Sequence, residues 1–330
     1  MPPLFLQEFE PREYEGCVNA GGYKARVMQI GDYRVEIIPD TEFRLDGGAM
    51  FGVVPRVLWE RVCPPDEKNR IRLNMNCVFI DTGKERILIE TGIGEKWSAK
   101  ETEMYGIFRE KPLAESLLEI TGHSPEDITI VINTHLHFDH AGGNTILPGS
   151  PPYKGRVDTA SADGVVLPPR HVEGPEPQPQ FPNARYLVSK FEYAHAQNPH
   201  ARDRASYLAE NWRPLEEAGQ LELVPDDYEP VPGLKIQTVR GHSETMQTWS
   251  LNRDGQTMYG FADLIPTRHH LAPAWVMGYD LFPIETMEFK SLVLPRAVSG
   301  RWLCLFYHDI DKPLRTLQTI DGKITSFPVN

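Results

Sequence analysis

The segment 134–143 reads THLHFDHAGG and directly follows the apolar run ITIVIN. The β-branched residues of that run predict a buried strand. Alternation along an extended chain places His135 and His137 on one side, and a turn at Asp139 and His140 aims these two from another direction. Imidazole and carboxylate groups are the ligands of zinc and similar divalent ions. One short segment is therefore predicted to supply ligands to two adjacent metal ions.

A chance cluster of histidines in solvent is the alternative interpretation of the same segment. Burying three imidazoles and a carboxylate together is unfavourable unless a metal ion or other partners compensate them. The position of the segment at the end of a predicted buried strand therefore favours the metal site.

Composition and charge exclude several classes of protein. The chain has 330 residues, of which 40% are hydrophobic and 24% charged, as is ordinary for a soluble globular protein. The formal net charge of −12 weighs against nucleic acids and anionic membranes as partners. No apolar run approaches the roughly 18 residues of a membrane span, and the N-terminus lacks the pattern of a secretory signal. The four scattered cysteines predict reduced thiols and a cytoplasmic location.

Short β-rich runs separated by a few helical stretches predict a layered α/β architecture. Strands are predicted over residues 33–38, 76–81, 86–90, 128–133, 186–188, 234–239, 248–251, 256–261 and 303–307. Helices are predicted over residues 112–120, 191–197, 203–212 and 285–299. The stretch 150–182 contains eight prolines and little apolar periodicity, which is typical of a long surface insertion.

The segment 134–143 resembles the HxHxDH signature of the metallo-β-lactamase superfamily. Three later positions fit the remaining pattern of that family in order: His242 after a glycine, Asp263 at the end of the next strand and His308 at the end of a late strand. The resemblance implies that one metal ion binds His135, His137 and His242, that the other binds Asp139, His140 and His308, and that Asp263 bridges the two.

The resemblance also implies the fold. It predicts a four-layer αββα sandwich in which residues 1–330 form a single domain, with an N-terminal extension at 1–30 and the Pro-rich insertion at 150–182. One motif departs from the family: an upstream Asp-Thr-Gly is here Glu90-Thr91-Gly92. Because that carboxylate supports the ligands from behind, we expect Glu90 to affect their fine positioning rather than metal binding itself.

The function implied by the resemblance is that of a dinuclear metal-dependent hydrolase, in which metal-bound hydroxide attacks an ester-like bond. Two divalent ions are expected; zinc is favoured, and the same ligands also accept manganese, iron or cobalt. The stretches GGAMFG at 47–52 and DLIPT at 263–267 are similar to the lactonase and methyl parathion hydrolase branch, which favours a lactone resembling an N-acyl homoserine lactone. Alternatives are a phosphotriester or aryl ester hydrolase, a thioester hydrolase, an iron-dependent sulfur dioxygenase and a non-catalytic metal-binding protein.

Four further roles are assigned in the predicted site. Asp139 and His270 are the candidate catalytic groups: the first moves a proton after cleavage, and the second hydrogen-bonds substrate unless it is a solvated loop histidine. Phe138 and Phe51 are the candidate substrate-binding residues, although the first could instead support the turn and the second belong to the core. His195 is rejected as a metal ligand because His242 has the better context. The predicted partner is a small-molecule substrate, without nucleic acid or membrane, and a homodimer is left open.

Overall fold

The computed structural model describes residues 27–148 and 176–329. Residues 1–26 of the predicted extension and 150–175 of the predicted insertion therefore lie outside the described residues. The last residues of the insertion form a short strand that pairs with the chain just after the HxHxDH segment. The described end of the insertion thus lies beside the chain that follows the candidate metal-binding segment.

The strands of the described residues form two seven-stranded sheets and one two-stranded ribbon. In chain order they are β1 (Met28–Ile30), β2 (Tyr33–Asp46), β3 (Arg70–Asp81), β4 (Arg86–Ile89), β5 (Ile130–Ile132), β6 (Thr145–Ile146), β7 (Gln178–Pro179), β8 (Arg185–Ser189), β9 (Leu221–Val224), β10 (Tyr228–Val231), β11 (Leu234–Thr238), β12 (Gln247–Arg253), β13 (Gln256–Gly260), β14 (Leu303–Leu305), β15 (Leu314–Ile320) and β16 (Lys323–Pro328). The first sheet has the order β1-β2-β3-β4-β5-β8-β9, the second runs from β10 to β16 in sequence order, and β6 pairs with β7.

The helices of the same residues are α1 (Gly47–Phe51), α2 (Arg56–Trp59), α3 (Ala99–Met104), α4 (Leu113–Thr121), α5 (Phe138–Ala141), α6 (Lys190–Gln197), α7 (Arg213–Glu217) and α8 (Pro283–Ser299). The prediction of a helix over 203–212 is wrong, because this stretch forms two short 3-10 turns. Between these turns Tyr207 is extended and forms a β-bridge with His137. A contact with the HxHxDH segment therefore overrides the local helical pattern.

The core confirms the predicted four-layer sandwich. Ile87 and Ile89 of β4 point into the cluster between the two sheets, which also contains Trp249 of the second sheet. Leu88 points the other way and packs with Leu117 of α4 on the outer face of the first sheet. Helix α8 packs in the same manner on the outer face of the second sheet. Strands covered on both faces explain why their sequences are continuous apolar runs.

Strand direction decides where the site forms. β4, β5, β8 and β9 run parallel to one another in the first sheet, and β13 and β14 are parallel in the second. The loops that leave the carboxyl ends of parallel strands emerge at the same edge of a sheet. The loops after β5, β13 and β14 are of this kind, and β11 runs in the same direction as β13 because both pair antiparallel with β12. The topology therefore collects the predicted ligands at one end of the sandwich.

Two further predictions concern the chain as a whole. Cys63, Cys77 and Cys304 are free thiols, as predicted, whereas Cys17 lies outside the described residues. Among the helices described, not one is both long and apolar enough to cross a membrane.

Candidate metal centre

The seven predicted ligands lie on four loops, each of which follows a strand. The segment with His135 to His140 follows β5, and His242, Asp263 and His308 follow β11, β13 and β14 respectively. All seven side chains are buried. Since imidazoles and carboxylates lose hydration when they are buried, such a concentration requires strong mutual compensation or a bound cation.

The seven side chains fall into two groups. Nitrogen atoms of His135, His137 and His242 all lie within 4.8 Å of one another, and we call this group the three-histidine cluster. Ligand atoms of the second group also lie within 4.8 Å of one another, and we call it the mixed cluster: Asp139, His140, Asp263 and His308. The sequence-predicted division of the ligands is the division that the fold produces.

Asp263 faces both clusters. Its Oδ1 lies 3.2 Å from His140 Nε2 and 3.0 Å from His308 Nε2. Its Oδ2 lies 3.5 Å from His242 Nε2. One carboxylate thus presents an oxygen to each cluster, which is the arrangement required of a bridging ligand.

The donor set fits divalent metal ions. His135 Nε2 is buried without a hydrogen-bond partner, although buried polar atoms are normally paired. His242 Nε2 and His137 Nδ1 lie 3.1 Å apart, so two ring nitrogens converge on one point. Three imidazoles in one cluster, and two imidazoles with two carboxylates in the other, are ligand sets that divalent ions accept.

The outer ring nitrogens of the histidines contact protein groups. His242 Nδ1 lies 3.1 Å from Asp280 Oδ1, and His308 Nδ1 lies 2.9 Å from the carbonyl oxygen of Asn74. Such contacts fix the tautomer and the orientation of a ligating imidazole. Sequence reasoning missed Asp280, because it lies 38 residues from His242 and belongs to no motif.

Glu90 lies directly behind the ligands, at the predicted supporting position. It accepts a 3.2 Å hydrogen bond from Thr134 N and another from Thr134 Oγ1, and its Oε1 is 3.3 Å from His140 Nδ1. The backbone of Glu90 has a left-handed conformation, with φ of 64°. Two residues later Gly92 has φ of 76°, and a Cβ there would lie 2.1 Å from the Asp40 carboxylate. The tight turn after β4 therefore requires glycine and turns the Glu90 side chain towards the mixed cluster.

The electrostatics of the two clusters differ. Burial lowers the pKa of His135 and His137 well below the ordinary value, so both rings are neutral and have a lone pair to offer. Burial acts in the same direction at His140, but the Asp263 and Glu90 carboxylates outweigh it and raise its pKa. Although burial disfavours the charged form of Asp263, His308 and His140 hold its pKa well below the usual range. The mixed cluster is therefore where the protein most favours positive charge.

His270 and Phe51, two residues of the predicted site, pack against each other. His270 Nε2 lies 2.8 Å from the carbonyl oxygen of Met50, and Nδ1 lies 2.8 Å from Thr267 Oγ1. Its ring stacks on Phe51 with centroids 4.7 Å apart, and burial lowers its pKa to about 3. Phe51 is itself fully buried and stacks on Trp59. Both His270 nitrogens thus contact protein atoms, and the catalytic role of His270 and the substrate-binding role of Phe51 stay predictions.

Phe138 lies at the start of α5, immediately before Asp139. It packs against Trp97 and Tyr105 at centroid distances of 5.4 and 5.2 Å, and 8% of its surface is exposed. Sequence reasoning missed these two neighbours of Phe138, because they lie outside any motif.

Comparison with known proteins agrees with this geometry. The family model described as the metallo-beta-lactamase superfamily matches residues 71–243. An N-acyl homoserine lactonase from Bacillus cereus is 26% identical over 189 residues, which are 54% of this chain and 59% of the relative. One from Bacillus thuringiensis is 25% identical over 187 residues, 54% of this chain and 58% of that protein. The chain thus spans somewhat under two thirds of the length of these curated relatives.

Solved structures agree over a longer stretch. A probable metal-dependent hydrolase from Staphylococcus aureus is 28% identical with a TM-score of 0.77, covering 92% of this chain and 99% of that one. AidC, a dizinc quorum-quenching lactonase, is 17% identical with a TM-score of 0.68, covering 93% and 97%, and supports the fold alone. Because the family model matches more than half of the residues, the chain belongs to the metallo-beta-lactamase superfamily.

Proposed function

We propose that the protein is a dinuclear metal-dependent hydrolase that opens a lactone ring of the N-acyl homoserine lactone type. The observation that carries the hydrolase proposal is the Asp263 carboxylate, which presents one oxygen to each of two buried ligand clusters. The lactone is supported by the curated relatives, which are named N-acyl homoserine lactonases. Zinc is the proposed ion, with manganese, iron and cobalt as alternatives for the same donors.

The chemistry divides between the ions and the chain. Two divalent ions bound at these clusters supply Lewis acidity and lower the pKa of water towards neutrality. The chain holds the ligands in place: Asp263 would fix the spacing of the two ions, and Asp280 would fix the ring of His242. In the reaction, a water oxygen bonds to the carbonyl carbon, the ring C–O bond breaks and the leaving oxygen takes up a proton.

Asp139 is the group that we propose to transfer that proton. Its Oδ2 lies 3.7 Å from His308 Nε2, so the carboxylate is already oriented within the mixed cluster. Asp139 directly follows Phe138 in α5. The ring of Phe138 packs with Trp97 and Tyr105. We infer that this aromatic group provides the apolar surface for an acyl chain, which would place the lactone carbonyl beside Asp139.

The location of the protein is part of the same proposal. The free thiols Cys63, Cys77 and Cys304 support a reducing compartment, the cytoplasm, because disulfides form mainly in oxidising ones. Fractionation of the native host followed by immunodetection tests this point, and recovery outside the cytoplasm would contradict it.

Proton release by the purified protein tests the reaction. Homoserine lactones with butanoyl, hexanoyl and decanoyl chains are compared before metal removal, after chelation and after zinc is restored. We expect ring opening that is lost on chelation, returns with zinc and increases with acyl length. Folded protein with two ions bound that opens no lactone would overturn the substrate proposal. Parallel assays with a phosphotriester, an aryl ester, a thioester and an oxygen electrode then identify the alternative.

A further inference from the structure

The first turn of α6 departs from the structure that its sequence predicts. The helix begins with Ser189-Lys190-Phe191-Glu192, the pattern of a capping box, in which the glutamate reaches back to the backbone of the serine. The Ser189 side chain does cap the helix, accepting from Phe191 N and Glu192 N. The Glu192 carboxylate instead accepts a 2.7 Å hydrogen bond from Leu136 N and another from Thr245 Oγ1.

We propose that Glu192 is a positioning residue of the three-histidine cluster, in which its buried carboxylate ties the segment carrying His135 and His137 to the segment carrying His242. Leu136, which donates to one oxygen, stands between the first two of these histidines. Thr245, which donates to the other, follows His242 by three residues. A single side chain thus spans the two loops that must meet to form the cluster.

The burial of Glu192 supports an organising role. The residue is 1% exposed, and a buried carboxylate is unfavourable unless hydrogen bonds compensate it. The hydrogen bonds from Leu136 N and Thr245 Oγ1 supply that compensation. The same two loops are also joined by the backbone, since Gln247 N donates to the carbonyl oxygen of Thr134 over 2.9 Å. Glu192 adds a second link that is closer to the histidines themselves.

The two supporting glutamates differ in which ligands they reach. Glu90 contacts His140 of the mixed cluster directly and His135 only through Thr134 Oγ1, whereas the Glu192 contacts flank the three-histidine cluster. Loss of the Glu192 side chain should therefore weaken one metal site and spare the other. Because the inference rests on the proposed metal centre but not on the lactone, its test measures metal retention without any substrate.

The experiment compares Glu192→Ala, Glu192→Gln and Thr245→Val in protein reconstituted with zinc. Each variant is titrated with a chromogenic chelator that reports how many ions are retained and how tightly. Glu192→Ala should lower the affinity for one ion by about 10–100-fold, as is typical when an outer support of a metal ligand is lost. The affinity for the other ion should stay at its wild-type value. Glu192→Gln keeps an acceptor for Leu136 N and a polar partner for Thr245, so it should restore most of the affinity.

Two controls separate positioning from general loss of stability. Glu101 begins α3 in a true capping box with Ser98 and is also buried, so Glu101→Ala should lower the Tm while both ions keep their affinity. His242→Ala and His308→Ala identify which ion belongs to which cluster. Thr245→Val removes only one hydrogen bond to Glu192 and should lower the affinity for the same ion by a smaller factor. This variant still tests the inference if Glu192→Ala fails to fold.

The outcomes distinguish this inference from the proposed function. Wild-type affinity for both ions in Glu192→Ala, or an equal loss at both, would overturn the positioning role and leave the dinuclear centre standing. A folded wild-type protein that retains no divalent ion would instead overturn the proposed metal centre, and this inference with it. Lactone assays do not enter either outcome.

Discussion

The two ligand clusters are built from different chemistry and held by different neighbours. The three-histidine cluster contains only imidazoles, and its outer contacts include Asp280, Thr134 at His135 and, through the backbone and Thr245, Glu192. The mixed cluster contains two carboxylates, and Glu90 contacts its His140 directly. Of the two ligand carboxylates, Asp263 alone is placed to give one oxygen to each cluster. The comparison teaches that the centre is two half-sites with largely different supports that share one carboxylate, so most substitutions should affect one half more than the other.

Replacing Asp263 should have the largest effect, because it removes the one side chain common to both halves. Asp263→Ala is expected to lose the paired ions and to reduce hydrolysis to the detection limit. Metal content by mass spectrometry and kcat/KM on the best substrate check this outcome. Asp203 is a matched control: it is also buried and lies 2.7 Å from a histidine, His195, but outside both clusters. Asp203→Asn should therefore keep both ions. Wild-type turnover in Asp263→Ala would contradict the bridging role of Asp263.

Removing one histidine from each half sharpens the comparison directly. His242→Ala should release the ion of the three-histidine cluster, and His308→Ala that of the mixed cluster, so metal content should fall by about half in each. Activity should fall strongly in both variants, since the proposed reaction uses both ions. Cobalt-substituted protein gives the measurement, because the different ligand sets of the two half-sites should give different absorption bands. Loss of the same band in both variants would show that the halves are not independent.

Exchanging the supporting carboxylates should have a smaller, half-specific effect. Glu90→Asp shortens a side chain that contacts His140 directly and His135 only through Thr134, so metal affinity should fall by about 10-fold at the mixed cluster and by less at the three-histidine cluster. Asp280→Asn weakens the hold on His242 and should act at the three-histidine cluster by a similar factor. Chelator titration of the two variants side by side is the measurement. If each variant lowered the affinity for both ions equally, the prediction that the two halves are supported by different carboxylates would be wrong.

The ligand positions are predictable because each follows a β-rich run. Short β-rich runs are visible in the sequence, and strands that run in the same direction end at one edge of a sheet. The grouping of His135, His242 and His308 came from the resemblance to the metallo-β-lactamase superfamily, because the runs alone do not say which strands are neighbours. The hairpin of β15 and β16 was missed, although the Asp-Gly at its turn, residues 321–322, is a recognised hairpin signal.

Apart from Glu90, whose supporting position the family resemblance implied, the supporting residues were not predictable, because their partners are remote in sequence. Glu192 contacts Leu136 across 56 residues, and local rules assign it to a capping box instead. His270 looked like a catalytic group because it follows Asp263 closely. Its place in the sequence gave no sign of the hydrogen bond between its Nε2 and the carbonyl oxygen of Met50, which is 220 residues away. Local pattern identifies the ligands, whereas packing between distant segments decides what holds them.

Lys290 of α8 belongs to neither ligand cluster, and its replacement should have the smallest effect on the site itself. Its buried Nζ donates to the carbonyl oxygens of Ala272, Pro273 and Trp275 at 2.7, 3.3 and 2.9 Å. Lys290→Met leaves these acceptors unpaired, so the free energy of unfolding should fall by about 1–3 kcal/mol. Metal affinity should change little and without preference between the halves. Urea denaturation and chelator titration check the two expectations, and Lys84→Met in an exposed turn is the control.

The effect of Lys290 should also depend on pH in a defined direction. Burial lowers its pKa to about 7, against 10.5 for an unburied lysine. Between these values the unfolded chain binds the additional proton, so Lys290 makes the free energy of unfolding rise with pH. The wild-type advantage over Lys290→Met should therefore be smallest near pH 7 and grow towards pH 10. An advantage that stays flat or shrinks over this range would mean that the three carbonyls keep the amine charged, with its pKa near the ordinary value.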